Sequence, residues 1–257
     1  MRPGSAIVTA LLLIAATPAL ADSAWTRALA DWERVLAQHV DAEGRTEFRA
    51  LAGDRAALDR VVSAIGTISP ATAPQLFPTG QDVLAYHLNA YNALAMHGVV
   101  DEGIPDGFTS FLKRARFFKF RAVTVGGRKT SLYDYENDII RPLGEPRVHF
   151  ALNCMVRDCP RLPREPFLGT TLDVQLEAAT REFFSREKHL RRRDDAREVW
   201  VSEILKFYTG DFVSSGKPQD LTEYINRYVR QPIPPAYRVR FIPYDWTINQ
   251  RPLPGDP

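Results

Sequence analysis

The sequence has no second long apolar run, no internal repeat, no Gly/Ser linker and no low-complexity tract. Its charge is nearly balanced, with 33 Lys and Arg against 31 Asp and Glu. Beyond the N-terminus no segment approaches the roughly 20 apolar residues that cross a bilayer. The balanced charge gives no argument for nucleic acid as a partner. Cysteine is scarce: both cysteines of the 257-residue chain, Cys154 and Cys159, lie in one short stretch. What remains, 45% hydrophobic and 25% charged residues, is the composition of an ordinary globular protein.

The N-terminus carries an address. Arg2 supplies a positive start, residues 6–16 form an apolar run interrupted by Thr9, and Ala19-Leu20-Ala21 is a small-x-small cleavage signal before Asp22. The run is too short for a membrane anchor, and no cysteine stands at the cleavage point to take a lipid. The expectation is a chain secreted across the inner membrane into the periplasm, acting from Asp22 onward. No transmembrane segment is left after cleavage.

The rest reads as a single domain over 22–249 with a Pro-rich tail at 250–257. Helical spacing of apolar residues predicts helices over 25–38, 54–65 and 82–100, the last apolar on most of its circumference and therefore buried. Residues 118–125 and 128–131 around Gly126-Gly127 predict a hairpin. Ser131-x-x-Asp134 predicts the capped start of a helix over 132–140 ended by Pro142 and Gly144. Residues 148–154 predict a strand, Thr170-x-x-Asp173 opens a helix to about 186, 199–201 is a short strand, 221–229 is helical and 237–242 is the last strand. Helices outnumber dispersed strands, which predicts an α+β (mixed α/β) fold with a small sheet inside a helical shell.

Three readings compete for the stretch from His149 through Cys154 and Cys159 to Pro160. Two cysteines five apart around a turn form a ready disulfide in an oxidising compartment, a short loop whose closure supplies at most about 2–3 kcal/mol. Alternatively one cysteine is a nucleophile activated by a histidine. On a regular strand His149 and Cys154 would face opposite sides, so Cys159, or a histidine such as His87 or His97, is then the more natural partner. A zinc site lacks a recognisable fourth ligand. No metal and no cofactor is expected.

On the buried helix, Asn89 and Asn92 share one face and must be hydrogen-bonded, as a tie to a loop or as substrate contacts. Glu136 and Arg141 are an acid that could orient His149 and a guanidinium that could bind a carboxylate, or a plain ion pair. Five bases from Lys113 to Arg121 are interleaved with phenylalanines, a pattern that a hairpin explains without an anionic surface. Arg191-Arg192-Arg193 beside two aspartates reads as a solvated loop.

The run Tyr86-His-Leu-Asn89-Ala-Tyr91-Asn92-Ala-Leu94 resembles a helix of domain-of-unknown-function family 547. So do Val125-Gly-Gly with Ser131-Leu132, Glu136 through Arg141, His149 to Pro160, Tyr208-x-x-Asp211-Phe212, and Tyr244-Asp245-Trp246 through Asn249. The resemblance runs over nearly the whole chain after the leader and is similar to exported bacterial members. It marks Asn89, Tyr91, Asn92, Glu136, Arg141, His149, Cys154, Cys159 and Asp245. His87 stands where the family usually has tryptophan, and Asn137-Asp138 where a histidine more often follows the glutamate.

Two functions remain. One is a cell-envelope thiol hydrolase or acyl-transfer enzyme with Cys154 or Cys159 as nucleophile, His149 as base, Glu136 orienting it, and Asn89 or Asn92 polarising a carbonyl. Tyr91, Arg141 and Asp245 would help bind the ligand. The other is a non-catalytic binding or scaffold protein with a Cys154–Cys159 disulfide. In either case the ligand is an unidentified small molecule, peptide or glycan, and no nucleic acid is expected.

Overall fold

The computed structural model describes residues 18–252. The leader read over 1–21 therefore lies almost wholly outside the described residues, as does the end of the Pro-rich tail. Helix α1 (Pro18–His39) is followed by α2 (Phe48–Gly53) and α3 (Ala56–Thr67), and Trp32, Val35 and Leu36 of α1 share a core with Leu58, Val61 and Ile65 of α3. Helix α4 (Gly80–Asp101) runs through this core. It begins at a capping box in which Thr79 Oγ1 accepts from the Asp82 amide at 3.1 Å and the Thr79 amide donates to Asp82 Oδ2 at 3.1 Å. Both faces of α4 are buried from Leu84 to Met96, His87, Asn89 and Asn92 included, as apolar residues over most of its circumference imply. No helix among the described residues is long and apolar enough to cross a membrane.

Helix α5 (Phe111–Arg114) continues as a π-turn, Ala115–Phe120, before strands β1 (Ala122–Val125) and β2 (Arg128–Ser131) pair antiparallel. The hairpin is thus shorter than expected, because 118–120 is helical: Ser110 Oγ caps the Lys113 amide at 3.2 Å, and Phe117 turns into the core. Its turn is as read, with φ of 53° at Gly126 and 78° at Gly127. A Cβ at 126 would also collide with Ser69. Helix α6 (Leu132–Tyr135) starts at the Ser131 cap and passes into a second π-turn, Glu136–Ile140, and a short 3-10 turn stopped by Gly144 at φ 77°.

Residues 148–154 are not a strand. Pro146–Phe150 is a 3-10 turn capped by Glu145, and the groups that would have paired with a sheet are taken by α4: Asn92 Nδ2 donates to Ala151 O (3.0 Å) and Asn92 Oδ1 accepts from Asn153 N (2.8 Å). Helix α7 (Leu172–Ser185) then bridges two apolar cores, contributing Leu172 and Leu176 to the first and Phe183 and Phe184 to a second. Its N-cap position is Thr171, not Thr170.

The second core carries β3 (Leu190–Arg193), β4 (Glu198–Ser202), α8 (Glu203–Phe207), α9 (Thr209–Phe212), α10 (Leu221–Ile225) and β5 (Arg238–Ile242). Strand β4 pairs antiparallel with β3 and parallel with β5. The arginine triplet is therefore an edge strand rather than a loop, its charges meeting Asp194 and Asp195. Among the described residues the architecture is α+β with a helical majority and two small sheets.

Candidate active site

A cleft of about 670 Å3 opens where the two cores meet. Each wall comes from a different part of the chain: Tyr91 from the buried α4, Glu136 and Asn137 from the π-turn after α6, Arg141 from the short 3-10 turn that follows it, His149 from the 3-10 turn Pro146–Phe150, Cys154 from the loop beyond it, and Tyr208, Tyr244 and Trp246 from the C-terminal third. A π-turn spreads its side chains differently from an α-helix and recurs at functional sites. Here it lets Glu136 and Arg141 reach the same cavity.

The imidazole is held firmly. His149 Nε2 lies 2.8 Å from Asp211 Oδ2, and the ring stacks on Tyr208 with centroids 3.9 Å apart. Arg141 grips the same carboxylate with two bonds, Nε to Oδ2 and Nη2 to Oδ1, both 2.7 Å. Burial would raise the Asp211 pKa, but the bonds from Arg141 and His149 outweigh it and hold the carboxyl well below the usual carboxylate range. With Nε2 donating to Asp211, Nδ1 is the basic nitrogen of the neutral ring. The acid that orients the ring is therefore Asp211 of the Tyr208-x-x-Asp211 motif, and not the expected Glu136.

Glu136 has other partners. Its Oε2 accepts the Tyr91 hydroxyl at 3.2 Å, deep beside the cleft. Burial and the neighbouring Glu136 charge together push the Tyr91 and Tyr208 hydroxyls well above their ordinary pKa.

The two sulfurs form a second unit. Both cysteines are free, with Cys154 at the cleft wall and Cys159 buried behind it. Cys159 Sγ accepts the Cys154 amide at 3.0 Å and the Tyr244 hydroxyl at 3.4 Å, and that hydroxyl stands 3.6 Å from Cys154 Sγ. Burial pushes the Cys159 thiol up, but hydrogen bonds from the Cys154 thiol, Tyr244 and the backbone amides of Val156 and Cys154 more than offset this, leaving it below the ordinary thiol value. Cys154 moves the other way: its bond to Cys159, its burial and the nearby Glu136 carboxylate push it well up. Of the two sulfurs, Cys159 is thus the one that gives up its proton more readily, and Cys154 the one that keeps it.

The loop is shaped for this. Met155 takes a left-handed conformation at φ 65°, which costs a non-glycine residue about 1–2 kcal/mol. Asn153 supports the turn, accepting from Met155 N and donating to Pro160 O. The chain from 244 to 249 lies along 155–158, with Arg157 N on Thr247 O and Asn249 N on Met155 O, both 2.9 Å, and so brings Tyr244 to the sulfurs.

Three expected contacts lie elsewhere. Asn89 is a structural tie remote from the cleft, its amide donating to Phe167 O and its oxygen accepting from Phe167 N and Trp32 Nε1. Asn92 is spent on residues 151–153, so neither asparagine is free to polarise a carbonyl. Asp245 faces outward, accepting from the Thr247 amide at 2.9 Å, and the neighbouring Tyr244 is the residue that enters the site. No group of three or more His, Cys, Asp and Glu side chains among the described residues could hold a metal ion.

Comparison with curated proteins and with solved structures finds no match. A family model does match, over residues 77–184, a segment that contains Tyr91, Glu136, Arg141, His149 and both cysteines but not Tyr208, Asp211 or Tyr244. That segment belongs to the family described as protein of unknown function, DUF547.

Proposed function

We propose that the cleft performs thiol-dependent acyl transfer or hydrolysis, with Cys154 as the nucleophile. The observation that carries this reading is the position of Cys154, which lines the cleft together with an imidazole fixed by Asp211 and is backed by the more acidic Cys159 sulfur, the proton acceptor of this reading in its thiolate form. As Cys154 attacks a carbonyl carbon, its proton passes to the Cys159 sulfur. The C–S bond forms, the bond to the leaving oxygen or nitrogen breaks, and the proton now on Cys159 passes to the departing group. His149 Nδ1 then takes a proton from water, whose oxygen displaces the thioester sulfur, and the imidazolium returns that proton to Cys154, restoring the thiol and the neutral ring. The aromatic wall of Phe118, Phe207, Tyr208 and Trp246 favours an apolar acyl group.

The leader-like sequence over 1–21 supports a periplasmic setting. There the contact between the two sulfurs favours a second reading, in which they oxidise to a disulfide and the cleft binds without turning over. An ester such as p-nitrophenyl acetate, given to reduced protein, separates the two. Turnover lost in Cys154→Ala and reduced about 10²–10⁴-fold in His149→Ala supports the enzyme. Turnover that persists in Cys154→Ala rules out this nucleophile, and protein isolated without reductant that shows no free thiol favours the bonded form.

A further inference from the structure

The face beside the cleft mouth combines exposed apolar groups with a basic segment, two of whose arginines, Arg116 and Arg121, meet Glu102 and Asp101 at 3.6 and 2.5 Å. Phe111, Leu112 and Phe120 are 75%, 77% and 74% exposed, although they belong to a helical segment whose other face is locked into the core by Phe117, with its ring 4.3 Å from Phe108. From Gly107 to Tyr133 the chain contains seven Lys and Arg and no Asp or Glu. Two of these bases, Arg114 and Lys119, line the cleft itself, lying over the rings of Trp246 and Tyr133 at 4.9 and 5.1 Å.

Phosphates or a soluble polyanion would use the bases but have no use for Leu112 and Phe120 held out in water. Large apolar side chains interleaved with Lys and Arg on one face match a bilayer interface, where cations sit among anionic headgroups and the apolar groups enter the acyl boundary. We infer that residues 111–120 dock the protein on an anionic lipid surface, with the cleft mouth against the membrane. The charge of the segment selects the surface and the three apolar side chains hold it there. This surface does not depend on the thiol chemistry, though the orientation would present lipid-borne acyl groups to the cleft.

The test is co-sedimentation of the full chain with vesicles of phosphatidylcholine alone or mixed with phosphatidylglycerol. It is repeated for Leu112→Ser/Phe120→Ser and for Lys113→Gln/Arg116→Gln, four positions outside the core and not lining the cleft. Residues 1–21 are common to all samples and cannot account for a difference between them. Wild type is expected to bind the anionic vesicles about tenfold more strongly than the neutral ones. The serine pair should lose about tenfold in affinity at any salt, and the glutamine pair should lose the preference for phosphatidylglycerol and its salt dependence. Equal binding by wild type and the serine pair would reduce the face to an ionic patch and overturn the inference. So would equal binding to both vesicle types, or capture of heparin without capture of vesicles, which would assign the bases to a soluble polyanion.

Discussion

His149 Nε2 lies 2.8 Å from Asp211 Oδ2, a bond that joins two residues 62 positions apart across the junction of the two cores. The carboxylate fixes the ring's tautomer, and the two bonds from Arg141 keep the carboxylate from turning away. Asp211→Asn keeps the shape but loses the charge that both partners need. Ester turnover should fall about 10²-fold with the circular dichroism spectrum unchanged, whereas an Asp211 that serves only as a surface ion pair would leave turnover within a factor of two or so.

The same carboxylate gives stability a pH signature. Its folded pKa is depressed below the ordinary 3.8. Its contribution is therefore present above that value and lost as pH falls through the depressed one. Denaturant unfolding of wild type should weaken steeply with acid below about pH 4, and Asp211→Asn should flatten that limb.

His87 controls a different window. Its Nδ1 lies 2.7 Å from the Tyr135 hydroxyl in the core, and burial lowers its pKa from 6.5 to about 4. The unfolded chain takes up this proton first, so stability is complete above 6.5, declines as pH falls to about 4 and is then level. The loss amounts to about 3 kcal/mol. The double variant His87→Phe/Tyr135→Phe removes both polar partners together and should abolish the slope in this window, as read by urea midpoints.

Tyr244 should matter through the sulfurs. Tyr244→Phe removes the hydroxyl shared by Cys154 and Cys159. The ultraviolet titration of the Cys159 thiolate should move to higher pH, and ester turnover below that pH should fall with it. Rescue of the rate at alkaline pH separates this effect from loss of packing.

The asparagines divide by what they tie. Asn89→Ala leaves the amide and carbonyl of Phe167 unpaired in the core and should cost about 1–3 kcal/mol of stability, with little effect on Cys154 reactivity in the folded protein. Asn153→Ala costs a similar amount but frees the Met155 and Pro160 ends of the cysteine loop. Iodoacetamide labelling of Cys154, followed by peptide mass spectrometry, should change in Asn153→Ala and not in Asn89→Ala.

Local rules carried far in this sequence. The buried α4, the Gly126-Gly127 turn, the Ser131 cap and the strands at 198–202 and 238–242 follow from apolar spacing and turn chemistry within short windows. The misreadings are places where distant groups decide. Residues 148–154 carry a strand pattern, but Asn92 takes their backbone groups; the phenylalanine alternation near 118 is overridden by burial of Phe117. The site was half legible: Tyr91, Glu136, Arg141, His149 and Cys154 line one cleft. Their pairing was not, because Asp211 and Tyr244 reach them from 62 and 90 residues away, and no spacing rule connects such positions. The Tyr208-x-x-Asp211 and Tyr244-Asp245-Trp246 motifs were the available signal.

The most direct test identifies the acylated atom. Reduced wild-type protein is mixed with p-nitrophenyl acetate, quenched in acid within the first turnover and digested, and the acetyl group is located by peptide mass spectrometry. The acetyl group should be on Cys154, and it should accumulate in His149→Ala because its hydrolysis slows. Acetylation of Cys159 with Cys154 unmodified, or turnover with neither cysteine acetylated, would contradict Cys154 as the nucleophile.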